Sequence, residues 1–215
     1  MRKARTLSIL FLFVLFANRS MAQVSLFAGP QFTTAKYHIR NAKQDKEFKQ
    51  GYMAGLRLTT PVEGNLYFSP SLYYSRKGYK VSFNRQAVLP DSAALNNNTS
   101  YNTIAFTPLL QFNLSGTKSH YFVRFGPGVD VAFSGKETFD SAAGKQVNRP
   151  MVFGSLGYSP ATAFANIQVG FVHSSGFSVY ANYEHGLSNF NNADLGPMIL
   201  QRVVGISVEW KLGRK

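Results

Sequence analysis

Cysteine is absent from the 215 residues, which removes disulfides, a thiol nucleophile and thiolate metal ligands, together with the cysteine through which an exported protein is lipidated. Beyond residue 22 no apolar run approaches the roughly 20 residues of a membrane helix, so a helical bundle in a bilayer is excluded. Histidines are few and scattered. His38, His120 and His173 fall in a loop and two turns without metal-ligand spacing, so neither metal nor cofactor is expected. Acidic residues are scarce as well, 10 against 23 Lys and Arg, which leaves a formal charge of +13.

What is present begins with a leader. Met1 to Ala22 has a basic start (Arg2, Lys3, Arg5), an apolar run from Leu7 to Ala17 and the small-x-small site Ser20-Met21-Ala22, the pattern of a secretory signal cleaved before Gln23. Loss of Arg2, Lys3, Arg5 and Arg19 with it leaves +9. A basic chain suits nucleic acid, anionic lipid or polyanionic glycan, and export removes nucleic acid as a partner. Aromatic residues make up 14% of the chain, with 19 Phe and 11 Tyr. That abundance agrees with the aromatic girdles of a membrane barrel.

The strongest local pattern is NLYFSPSLYYSRKGYK, Asn65 to Lys80. Leu66, Phe68, Pro70, Leu72 and Tyr74 alternate with Tyr67, Ser69, Ser71, Tyr73 and Ser75, the period of two that only a strand presents. Similar alternation covers Val24 to Thr33, Gly51 to Thr59, Thr103 to Leu114, Tyr121 to Phe133, Phe164 to Phe171, Phe177 to Glu184 and Val203 to Leu212. In the first of these Phe27 breaks the polar parity. Pro108 in mid-strand would ordinarily demote a central strand, but the alternation around it is clean and a bulge there is tolerable; the glycines of Gly126-Pro127-Gly128 make room in a narrow interior.

Between these strands lie long connections at Ala35 to Gln50, Lys77 to Asn102, Ser134 to Thr162 and Leu187 to Met198, and short ones at Pro61 to Gly64, Ser115 to Ser119 and His173 to Gly176. Long and short alternate strictly. The expectation is an all-β fold: an eight-stranded antiparallel transmembrane up-and-down β-barrel at residues 23–215, with short periplasmic turns, long extracellular loops and both termini in the periplasm. A Greek-key sandwich has no reason to sort its loops by parity.

PSLYYSRKGYK (Pro70 to Lys80), FTPLLQFNL (Phe106 to Leu114), YFVRFGPGVDVAF (Tyr121 to Phe133) and YEHGLSNF (Tyr183 to Phe190) together resemble the outer-membrane β-barrel domain family of Bacteroidota, the porin-like or PorT-like group with OmpX-like architecture. The resemblance covers the mature chain. It implies an integral protein of the cell outer membrane, inserted by the barrel assembly machinery, with no established chemistry; some relatives serve a secretion apparatus. Such barrels commonly finish on an aromatic residue, and here Trp210, in WKLGRK, takes that place.

Inward parity gathers Arg57, Arg124, Glu209 and Lys211 near the periplasmic end, with Asp130 and Glu184 higher. In a lumen filled by side chains these charges should pair with one another. Lys36, Arg40, Lys43, Lys46 and Lys49 of the first outer loop, with Arg202, are candidates for contact with lipopolysaccharide phosphates and outer-membrane lipid. Trp210, Tyr121 and Phe177 are candidate interface aromatics. The expected function is that of a monomeric structural or interaction protein, not an enzyme, with the outer loops as its working surface. The alternatives are a component of a protein secretion apparatus, a small porin, or a lipid A-modifying enzyme built on Glu184, His185, Ser188 and Asn189. For the last, the His-x-x-Ser spacing sends His185 and Ser188 to opposite faces of a strand.

Overall fold

The computed structural model describes residues 22–84, 93–155, 157–194 and 196–212. The leader lies outside them except for Ala22, as do part of the second long connection and the last three residues. Among the described residues, eleven strands follow in chain order: β1 Gln23–Ile39, β2 Ala42–Lys43, β3 Asp45–Glu47, β4 Lys49–Glu63, β5 Leu66–Ser82, β6 Asn96–Asn113, β7 His120–Asp140, β8 Gln146–Pro150, β9 Ala161–Val172, β10 Phe177–Gly186 and β11 Met198–Lys211.

Eight of them, β1, β4, β5, β6, β7, β9, β10 and β11, pair antiparallel with their neighbours in that order, and β11 returns to β1 to close the wall. Closure leaves no sheet edge in the membrane, which hydrocarbon would not tolerate. Followed strand to strand from Ser25 through Arg57, Ser71, Thr107, Gly128, Phe164, Gly186 and Gln201, the register comes back to Ala35, ten residues up β1. The strands are therefore steeply tilted.

The outer surface carries a belt of exposed apolar side chains, among them Leu26, Leu56, Leu72, Phe106, Val129 and Ile206. Polar residues of the opposite parity are buried in the lumen. Phe27, the exception in the first strand, points inward and packs edge-on against Tyr73 and Tyr180 at 5.7 and 6.3 Å between ring centres. Aromatic pairs mark both ends of the belt. Trp210 lies 6.2 Å from Phe177 and Tyr121 5.0 Å from Phe171 at the periplasmic end, while Tyr74 meets Tyr52 at 5.8 Å and Phe133 at 6.4 Å at the other.

Much of what reads as long loop is strand. β1 runs to Ile39, β5 to Ser82 and β7 to Asp140, while β6 starts at Asn96. A membrane crossing needs only about 9 to 11 residues, so the 17, 18 and 21 residues of β5, β6 and β7 carry the wall far above the bilayer. There β3 joins β5 and β8 joins β7, completing a five-stranded extracellular sheet. The short β9 and β10, of 12 and 10 residues, leave the opposite side low.

Pro108 causes no bulge. The registers on either side of it, Phe106 with Val129 and Leu110 with Phe125, agree, and the ladder merely lapses between them because Pro108 and Pro127 both lack an N–H. The shift lies higher, between Asn102 and Thr103, where β7 holds one residue more than β6. Gly128 leaves the room expected of it: a Cβ there would come within 2.4 Å of the Phe164 ring.

Candidate functional site

The lumen is organised as stacked clusters of charge. At the periplasmic level, Arg124 Nη1 lies 2.8 Å from Glu209 Oε2, and Arg124 Nε donates to Gln111 Oε1 at 2.6 Å. Arg57 Nη1 stands 3.6 Å from the same Glu209 oxygen and donates to Gln168 Oε1 at 2.9 Å. Ser25 Oγ donates to Glu209 Oε1 at 2.8 Å. Aromatic faces cover the guanidinium groups, with Arg124 4.1 Å above the Phe122 ring and Arg57 between Phe27 and Tyr180. Cation–π contact adds most where water is excluded.

Asp130 and Glu184 do not reach the arginines. Both accept from Lys77 Nζ, each at 2.7 Å. Tyr73 OH completes Glu184 at 2.7 Å, Thr162 Oγ1 donates to Asp130, and the Phe164 ring covers the ammonium at 4.8 Å. Reading the sequence assigns Lys77 to a loop and so misses this bridge. The available signal was parity: Lys77 continues the inward series Ser69, Ser71, Tyr73, Ser75.

A third cluster lies above the membrane. Glu137, buried, accepts from Arg149 Nε at 2.6 Å and from Tyr158 OH at 2.7 Å. Burial, then Tyr79 and Glu137, hold the Tyr158 hydroxyl well above the ordinary tyrosine range, so it stays a donor. Tyr37, Tyr79, Tyr101, Tyr158, Phe190 and Ile199 pack around it into an apolar cap over the lumen, with Phe190 4.7 Å from Tyr101 and 5.2 Å from Tyr158. Met151 and Tyr158, from the apolar part of the third long connection, turn into this cap.

The other sequence candidates divide. Lys211 is only half-buried at the periplasmic mouth and forms no ion pair among the described residues, so it does not join the lumenal lattice expected of it. Lys49 is not an outward loop cation: half-buried at the extracellular start of β4, it donates to Asn98 Oδ1 at 2.5 Å and Thr99 O at 2.8 Å. Lys36, Arg40, Lys43 and Lys46 are exposed. Arg202, partly buried on the outer wall, donates to Gly186 O and Gln201 O and meets His185 Nε2 at 2.9 Å. His185 Nδ1 lies 3.1 Å from Tyr183 OH, while Ser188 Oγ accepts from the Ala163 amide at 2.7 Å. No hydrogen bond joins His185 to Ser188 among the described residues.

Lys36, His38, Lys43, Lys46 and Arg202 form one patch on the outer wall. Phe32 pairs with Val204 at the top of the apolar belt, Thr34 with Arg202 one step higher, and His38 with Lys43 above Lys36. Burial first, and then Lys36, Lys43 and Lys46, lower the basicity of His38. Burial, Lys43 and Arg202 do the same for Lys46. The nearby Glu47 faces Lys80 at 3.6 Å instead.

The sequence matches the family described as outer membrane protein beta-barrel domain over residues 13–192. No curated protein matches it. Among solved structures, Ail of Yersinia pestis, in complex with the heparin analogue sucrose octasulfate, is similar at 15% identity, covering 88% of this chain and 99% of Ail, with a TM-score of 0.42. Neisserial surface protein A is similar at 11% identity, covering 89% and 99%, with a TM-score of 0.45. OprG from Pseudomonas aeruginosa is similar at 9% identity, covering 91% and 98%, with a TM-score of 0.46.

Proposed function

The chain belongs to the outer membrane protein beta-barrel domain family, and on that premise we propose that it is a non-conducting interaction protein whose outer wall grips lipopolysaccharide phosphates through Lys36, Lys43, Lys46 and Arg202. The observation that carries this reading is the crowding of those cations directly above the apolar belt, where burial first and then their charges lower the basicity of His38 and Lys46. Crowded like charges are unfavourable until an anion neutralises them. At that height on the outer wall an anionic headgroup layer supplies one. The arginine and lysine bonds in the lumen and the aromatic cap above them leave the outer wall and the extracellular sheet as the surfaces free for partners.

The experiment is charge reversal. Lys36→Glu, Lys43→Glu and Lys46→Glu together are expected to lower the lipopolysaccharide that copurifies with the barrel several-fold, read by mass spectrometry, while the folded gel mobility is kept. An unchanged lipopolysaccharide load in a folded variant contradicts the reading.

A further inference from the structure

The floor of the lumen holds more positive than negative charge. Arg57 and Arg124 share one carboxylate, Glu209. Both oxygens of Glu209 are already taken: Oε2 by Arg124 Nη1 at 2.8 Å, and Oε1 by Ser25 at 2.8 Å and Arg124 Nη2 at 3.3 Å. Arg57 reaches it only through Nη1, at 3.6 Å. The level above is unbalanced the other way, with Lys77 alone between Asp130 and Glu184.

The other edge of Arg57, Nε with Nη2, is fully buried and meets no acceptor among the described residues. On a guanidinium these two N–H bonds run parallel from one side and make the fork that grips a carboxylate or a small anion. Phe27 and Tyr180, at 5.1 and 5.3 Å, cover the same guanidinium and shield it from bulk water. Ser178, which pairs with Glu209 across β10 and β11, likewise has a buried hydroxyl with no hydrogen-bond partner among the described residues. Water satisfies the unpaired groups of a neutral chamber, but a chamber with excess positive charge gains more from an anion, because burying an unneutralised cation costs several kcal/mol. Side chains fill the lumen of an eight-stranded barrel, which limits the guest to the size of an ion or a water molecule.

We propose that the lumen floor binds one small monovalent inorganic anion, of the size of chloride, on the Nε–Nη2 fork of Arg57. The anion neutralises the lower cluster and fixes the Arg57 side chain between its two aromatic covers. The site lies on the opposite side of the wall from the cationic patch and is independent of it.

The test uses the mature barrel in detergent, unfolded by heat while sodium gluconate is replaced by sodium chloride or sodium bromide at constant ionic strength. The unfolding midpoint is expected to rise saturably with halide, by several degrees, and Arg57→Gln is expected to abolish the dependence. Crystals of the wild-type protein grown in bromide supply a second reading that does not rely on the variant folding. An anomalous peak within hydrogen-bond distance of Arg57 Nε and Nη2 supports the site. A midpoint indifferent to halide, or a bromide-grown crystal with only water at the fork, overturns it.

Discussion

Lys77 shows how much one lumenal side chain can decide. Its ammonium is the only counter-charge that Asp130 and Glu184 have within ion-pair distance among the described residues. Removing one partner of a buried ionic cluster costs about 3 to 5 kcal/mol, because the charges left behind have no water to return to. Lys77→Met is therefore expected to lower the urea-unfolding stability of the barrel in lipid vesicles by that order. Adding Asp130→Asn and Glu184→Gln should recover most of the loss. A single variant as stable as the wild type would show that the bridge contributes nothing. On the outer wall, His38 reports on the patch around it. Burial and then the neighbouring cations disfavour its imidazolium, whereas a bound phosphate favours it, so lipopolysaccharide added to neutral-lipid nanodiscs should raise the His38 titration midpoint measured by NMR. A midpoint that stays put or falls argues against phosphate at the patch.

Among the elements, the eight crossings were legible because lipid enforces apolar residues on one parity, as in Leu66, Phe68, Pro70, Leu72 and Tyr74 of β5. Above the bilayer the rule inverts. Water now bathes the outer face and the cap fills the inner one, so Tyr79 and Val81 of the same strand are buried while Lys80 is exposed. A search for one continuous apolar face loses the strand at that inversion, which is why Lys77 and the upper halves of β5, β6 and β7 read as loop. Nor does composition locate the extra residue in β7. By advancing the parity there, it sends Glu137 and Phe139 inward where the regular series would send them out. Deleting Ser134 takes out the extra residue and leaves Tyr101 opposite Gly135 and Thr99 opposite Glu137, so Glu137 is expected to stay turned toward Tyr158 and the β7–β8 hairpin to keep its protease resistance on proteoliposomes. A hairpin opened to protease by that deletion would contradict this account of the bulge.

For the molecule as a whole, the ion clusters and the cap make the barrel a filled cylinder with a tall sheet on one side. A trough of about 310 Å³ crosses that sheet between Glu47, Lys80, Asn98, Asp140 and Gln146, but its chemistry names no occupant. The closed wall and the loop alternation could be foreseen from the sequence, since both follow from parity and length. The pairing inside the lumen could not, because strand tilt decides which buried charges meet across it. Arg124→Ala is expected to weaken the barrel in detergent while planar bilayers containing it stay electrically silent; a large steady channel would contradict a packed lumen.

The central claim is that hydrocarbon surrounds one parity of these strands while the other is packed away from both lipid and water. Spin labels placed singly from Thr103 to Leu114 of the barrel in bilayers test it most directly, through collision with oxygen and with a water-soluble nickel complex. Even positions, from Ile104 to Leu114, should be reached by oxygen, and odd positions, from Thr103 to Asn113, by neither probe. Nickel access at the odd positions, or no alternation along the strand, would contradict it.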